Sequence, residues 1–291
     1  MTNVRQDKCP FNSERSDNSS LTPQNEQVAN LRKFNNQNKR AMRKYLNLIA
    51  FTLVALFCAT ACSNDEEEKL APEMDSSQFV LISEHIPDVI LEIRYYSTYN
   101  FIGDRIPGYL EPVAILTRQA ADSLKAVSDD LKKQGYRLKI FDAYRPQCAV
   151  DFFMKWAQDL DDQRMKEYFY PELDKAVIVP QEYVAEKSGH TRGSTVDLTL
   201  FDMKLEKEVD MGCTFDYFGV ASHPGVQPGQ EIGAYKPITQ EQYDNRMILQ
   251  KAMVSHGFKI YDYEWWHFTL KDEPFPDTYF NFPVATWSIK E

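Results

Sequence analysis

Two stretches of the 291-residue chain carry residue types that could do chemistry together. One is Ser188-Gly189-His190-Thr191-Arg192-Gly193-Ser194-Thr195-Val196-Asp197, and the other, far downstream, is Glu264-Trp265-Trp266-His267-Phe268. They offer two imidazoles and a carboxylate, His190, His267 and Asp197, with a spare carboxylate, Glu264, near the second His. Two His and one Asp with an open fourth position form the ligand set of a catalytic zinc, which needs room for water. Zinc lowers the pKa of bound water to about 7 and polarises a scissile carbonyl. Glu264 could accept the water proton and later pass it to a leaving amine. A His and an Asp seven residues apart are a weak signal alone; the two stretches in this order are a much stronger one. The aromatic run around His267 favours a strand, and strand side chains alternate faces. In an ideal strand Glu264 would therefore point away from His267, and it can reach the metal only from a bend or bulge.

These stretches resemble those of zinc D,D-peptidases, most closely the VanX-type D-alanyl-D-alanine dipeptidases. The likeness extends to Tyr95 through Gly103, Phe141-Asp142-Ala143-Tyr144-Arg145-Pro146, Met211-Gly212-Cys213-Thr214-Phe215-Asp216, and Asp272 through Pro283, covering roughly residues 80–285. The resemblance implies one zinc ion per chain, held by His190, Asp197 and His267, with Glu264 as general base and acid. It makes Arg145 the stabiliser of the developing oxyanion, a fork of donors that cannot lose its proton. Tyr95 and Asp216 would bind the free amino end of a dipeptide, and Ser188 its backbone. Gly189 departs from the pattern, where a second Ser is frequent, and Thr195 replaces a commoner Ala; the first change removes a possible hydroxyl contact. The implied reaction is zinc-dependent hydrolysis of D-Ala-D-Ala, or of related D,D-peptides, in turnover of cell-wall fragments. One alternative is a D,D-carboxypeptidase or endopeptidase acting on peptidoglycan stem peptides, which needs an open groove. Another is a non-catalytic, zinc-stabilised binding lipoprotein; Glu264 and Arg145 argue against it, because structural zinc needs neither.

The elements that must position these residues are partly legible. Residues Thr117 to Gln134 read as a helix with Leu124, Val127 and Leu131 on one stripe, stopped by Gly135. A strand follows, in which Tyr136, Leu138 and Ile140 alternate with Arg137 and Lys139. Arg145 falls just beyond it, and a second helix carries Val150, Phe153, Met154 and Ala157 inward. A further strand is expected from about Thr195 to Leu200. A helix from Gln240 to His256 opens with a capping box, Thr239 against Gln242, and ends at Gly257. It is expected to feed a strand from Phe258 to Tyr263 that runs directly into Glu264. Residues 203–237 read as loop. Periodicity alone gives mixed helix and strand; the resemblance makes this an α+β single domain over residues 78–291, a mainly antiparallel central sheet flanked by helices, of the hedgehog/D,D-peptidase type.

Composition is that of a globular protein with a sizeable core, 43% hydrophobic and 26% charged. The net charge of −10 argues against nucleic acid as a partner, because phosphate neutralisation needs clustered Lys and Arg. Residues 1–41 form a polar extension that cannot offset its own ordering entropy. A start at Met42 gives a signal of ordinary length, so the extension is expected to reflect a mis-assigned start. Residues 42–61 read as a secretory signal: a basic flank, a short apolar core and small residues at the end. Ala59-Thr60-Ala61-Cys62 resembles a lipoprotein cleavage box with Cys62 lipidated. An acidic linker, residues 62–77, follows. The expected location is outside the cytoplasmic membrane, anchored through Cys62 to the outer membrane. Cys148 and Cys213 are either one disulfide or two free thiols. His85, His223 and His256 lack partners at useful spacing and are expected to be surface or capping residues, with His223 a possible neighbour of the pocket.

Overall fold

The computed structural model describes residues 76–179, 183–233 and 235–289. The extension, the signal segment and Cys62 lie outside these residues, as does all of the acidic linker except Ser76 and Ser77. Those two open a 3-10 turn, Ser76–Gln78, that leads into β1, Phe79–Leu81. After the short helix α1 (Ile82–His85) and the short strand β2 (Ile90–Leu91) comes β3 (Ile115–Thr117), which pairs antiparallel with β1.

Thr117 then caps α2, Arg118–Lys132, its hydroxyl accepting from the amide of Ala120. This helix buries Leu124, Val127 and Leu131, the stripe read from the sequence. Each such side chain contributes about 1.5–3 kcal/mol on burial. Gly135 stops the helix with φ of +89°, a conformation that costs a residue without Cβ nothing. The strand β4 (Tyr136–Asp142) and the helix α3 (Gln147–Gln158) follow. The inner face of α3 carries Ala149, Val150, Phe153, Trp156 and Ala157; Met154, expected there, is only half-buried. After a one-turn helix α4 (Lys166–Phe169) the chain returns to the sheet with β5, Thr195–Asp202.

The remaining elements are β6 (Lys207–Glu208), α5 (Gln240–Ser255), β7 (Phe258–Tyr261) and β8 (Glu264–Leu270). The capping box of Thr239 and Gln242 is formed at the start of α5. The main sheet runs β2-β4-β5-β8-β7, with β6 paired to β5. Only β2 with β4 is parallel, so the sheet is mainly antiparallel. Helices α2 and α5 pack against each other and against strands of this sheet. The result is a mixed α+β single domain. Cys148 and Cys213 are both free thiols. Among the described residues no helix is long and apolar enough to cross a membrane.

One expectation is corrected. The strand from Phe258 does not run on through Tyr263 into Glu264; it ends at Tyr261, and the chain turns at Asp262 and Tyr263 into an antiparallel hairpin partner. Glu264 is thus the first residue of a new strand, and the turn follows an aromatic run that carries no Gly or Pro to announce it.

Candidate active site

Strand register builds most of the site. Asp142, the last residue of β4, faces Asp197 in β5, and Asp197 faces His267 in β8. Directly opposed residues share a face, so three polar groups form a row across three strands. A slip of one residue would turn a strand's contribution to the other face. His190 arrives separately on a 3-10 turn, Gly189–Arg192, which Ser188 caps by accepting from the His190 amide at 3.2 Å. The turn closes at Gly193 with φ of +78°, where an added Cβ would run into the Phe79 ring.

The imidazole of His190 is oriented by the backbone. Its Nδ1 lies 2.7 Å from the carbonyl oxygen of Ala143; a carbonyl can only accept, so Nδ1 carries the proton and Nε2 the lone pair. That lone pair faces inward, 3.2 Å from Asp197 Oδ2 and 3.3 Å from His267 Nδ1. His267 Nδ1 is in turn 3.2 Å from Asp197 Oδ1. All three ligand atoms lie within 4.8 Å of one another. Asp197 Oδ1 is buried yet accepts no aligned hydrogen bond, an arrangement expected to cost free energy unless something else satisfies the oxygen. Two imidazole nitrogens and an unsatisfied carboxylate oxygen, converging with one side toward a cavity, fit a zinc ion.

Glu264 resolves the parity difficulty as a bulge should. The β7–β8 register shifts between Ile260 and Tyr261, so that Tyr261 pairs with Glu264. Ser222 pins the turn, its hydroxyl donating to the Tyr263 carbonyl at 2.8 Å. Freed from strict alternation, the Glu264 carboxylate comes within 3.4 Å of His267 Nδ1.

Arg145 is held by a residue to which the sequence reading gave no role. Its Nε and Nη2 both donate to Asp142 Oδ2, at 3.0 and 2.8 Å. The other Asp142 oxygen accepts from the Tyr109 hydroxyl at 2.6 Å. Burial pushes the Asp142 carboxyl up, against the opposing pull of Arg145 and His190. The guanidinium lies over the rings of Tyr95 and Phe153, at 5.0 and 5.1 Å, and its Nη2 is 3.8 Å from Asp197 Oδ2. A buried Asp ending an apolar strand three residues before an Arg was the available signal for this anchor.

Tyr95 sits in a 3-10 turn, Arg94–Tyr96, and donates its hydroxyl to Asp216 at 3.1 Å. Asp216 is buried, has the left-handed φ of +62°, and has no hydrogen-bond partner but Tyr95 among the described residues. Burial, with the nearby Asp197 and Glu264, pushes its carboxyl well above the usual carboxylate range. A carboxyl so placed resists ionising until a cation comes to pair with it. Tyr95, Ser188, Asp216, Arg145, Glu264 and the three metal candidates all line one cavity of about 180 Å³. The structure therefore brings together every candidate site residue except Cys62, which lies outside the described residues. The sequence reading missed the rest of the wall, which includes Phe101, Phe153, Tyr183 and Tyr261. His223 stands one layer behind it, its Nε2 3.1 Å from the Tyr183 hydroxyl. His85 and His256 instead pair with Asp122 and Asp130 near the surface.

Metal uptake at this site should release a proton. Burial opposes charge on His267, but its contacts with Asp197 and Glu264 outweigh that and raise its pKa to about 9. A ligand nitrogen must be deprotonated before it binds zinc. Zinc affinity should therefore fall as pH drops below about 9, approaching tenfold per unit, and level off above it. In the metal-free protein the same shift stabilises the fold below the unfolded pKa of about 6.5 and is lost as pH rises through about 9. Calorimetry at pH 7 in buffers of different ionisation enthalpy measures the release; no proton release would exclude His267 as a ligand.

A candidate metal triad with one open side, a carboxylate beside it and an anchored guanidinium near its Asp make up the layout of a single-metal hydrolase. The chain belongs to the D-ala-D-ala dipeptidase family of peptidases, whose profile matches residues 75–285. It is similar to the D-alanyl-D-alanine dipeptidase of Enterococcus faecalis, with 38% identity over 207 residues, 71% of this chain and 98% of the relative. The enzyme of that name from Enterococcus faecium is 36% identical over 206 residues, 71% of this chain and 98% of its own. That of Streptomyces coelicolor is 35% identical over 210 residues, covering 72% and 100%.

Proposed function

We propose that this chain hydrolyses the D-Ala-D-Ala dipeptide to two D-Ala, using one zinc ion held by His190, Asp197 and His267. Its relatives bear the name of that activity, and its central sheet suits a hedgehog/D,D-peptidase type of fold. Zinc bound there supplies Lewis-acid chemistry, acidifying water and polarising a carbonyl. Asp216 and Tyr95 hold the substrate ammonium, and Ser188 lies along its backbone. Arg145 faces the carbonyl oxygen as it gains charge, held in place by Asp142 so that little reorganisation is needed. Glu264 takes up the proton and returns it to the leaving amine.

The observation that carries the dipeptide reading is Asp216, a buried carboxyl whose hydrogen-bond partner among the described residues is the Tyr95 phenol alone, in the same small cavity as the metal candidates. A free dipeptide brings an ammonium close to its scissile bond; a stem peptide brings an amide. Against an amide, Asp216 stays buried and unpaired, a cost of about 1–3 kcal/mol and more for a charged group. Since about 1.4 kcal/mol is tenfold, wild type should prefer D-Ala-D-Ala over its N-acetylated form by about tenfold or more. Asp216→Ala should damage hydrolysis of the free dipeptide far more than of the acetylated one. Proportional loss on both substrates would put the D,D-carboxypeptidase reading ahead.

The lipid anchor at Cys62 belongs to this proposal as the device that keeps the enzyme outside the cytoplasmic membrane, where cell-wall fragments are turned over. It predicts a mature chain beginning at an acylated Cys62. A membrane-fraction mass corresponding to any other amino terminus would refute it.

A further inference from the structure

The two departures at Gly189 and Thr195 are neighbours in space. A Cβ added at Gly189 would lie 2.8 Å from the Thr195 hydroxyl and 3.6 Å from that of Thr269. Real Cβ atoms do not approach an oxygen so closely, so a side chain at 189 and a hydroxyl at 195 cannot both keep these positions. Thr195 and Thr269 face each other across β5 and β8, in the row next to Asp197 and His267 on the same face. Their hydroxyls are 2.9 Å apart and both residues are buried. Thr269 Oγ1 is also 3.5 Å from His267 Nε2, the ring nitrogen that does not face Asp197.

We infer that Thr195 and Thr269 are positioning residues for His267, and that Gly189 is the condition for the Thr195 hydroxyl. With Nδ1 turned to the metal, Nε2 carries the ring proton and donates it to Thr269, whose own proton goes to Thr195. A separation of 3.5 Å is the long end of hydrogen-bond range, so the contact orients the ring rather than clamping it. The cross-strand hydroxyl pair sets where Thr269 presents its oxygen. The absence of a side chain at 189 thereby leaves room for a support behind a metal ligand. Outer partners of ligating His residues fix ring orientation and typically change metal affinity 10–100-fold when removed.

The inference rests on the zinc site proposed above, and chelator competition for zinc on the full chain tests the two separately. Thr269→Val should weaken zinc binding by about tenfold, the low end of that range, while the melting temperature of the metal-free protein hardly moves. Thr269→Ser, which keeps the hydroxyl, should restore affinity. Gly189→Ala should weaken zinc binding in the wild-type background but add nothing once Thr195→Ala has removed the oxygen it strikes. Wild-type affinity in Thr269→Val, or effects of Gly189→Ala and Thr195→Ala that multiply to within about twofold, would overturn the inference. Wild-type protein that takes up no zinc would remove the metal site itself, and the support for His267 with it.

Discussion

Glu264→Gln is expected to keep its zinc and to lose about 10²–10⁴-fold in turnover. The amide has the shape of the carboxylate, and Glu264 is not among the three groups whose ligand atoms converge, so the metal has no reason to leave. Among the described residues, what disappears is the only carboxylate besides the candidate ligand Asp197 that sits within ion-pair distance of His267 Nδ1. The remaining carboxylate on the cavity wall is Asp216, which is engaged by Tyr95 at the amino-end position. Single-turnover kinetics on metal-replete protein make the measurement. Turnover within a factor of about ten of wild type would show that another group moves the proton.

Asp142→Asn should be strongly destabilising although it is isosteric. This carboxylate receives three hydrogen bonds, two from Arg145 and one from Tyr109, in a fully buried position. With the amide oxygen kept on Arg145, the NH₂ faces the Tyr109 hydroxyl, which must turn from donor to acceptor, and the guanidinium loses the charge that paired it. Removing one partner of a buried ion pair costs about 3–5 kcal/mol, because the other charge stays desolvated. At about 2–4 °C per kcal/mol for a domain of this size, the melting temperature should fall by roughly 6–20 °C. Turnover should fall too, since Arg145 loses the contact that aims it. A melting temperature within about 2 °C of wild type would mean that the pair is exposed to water in solution and that Arg145 needs no anchor.

Local physics made much of the scaffold readable. The stripe of α2, the capping box of α5 and the glycine stops at Gly135 and Gly257 are each determined by neighbours in sequence. The candidate ligands were readable as residue types in two motifs. The row of Asp142, Asp197 and His267 was not, because strand register depends on which strands meet, and no single stretch records that. The hairpin at Asp262 and Tyr263 was hidden by continuous aromatic character on both sides of the turn. Parity then argued against Glu264, and only the register shift opposite Tyr261 shows why the argument fails. At Gly189 and Thr195 the sequence offered two unrelated oddities. They become one steric relation once the fold brings Gly189 against the Thr195 hydroxyl and strand pairing sets Thr195 against Thr269.

The row across β4, β5 and β8 also bears on how the enzyme is made. His267 and Glu264 both belong to β8, the last strand of the sheet in chain order, and β8 meets Asp197 only by pairing with β5. A nascent chain that has built β4, β5 and α2 holds two of the three metal candidates and no proton acceptor. It can grip zinc only weakly and can hydrolyse nothing. Metal capture thus certifies that the sheet has closed in the right register, and the certified state alone gains the stability that a ligand confers, about 2.7 kcal/mol at a hundred times Kd. If these residues carry the roles proposed above, completion of β8 is itself the step that switches the peptidase on.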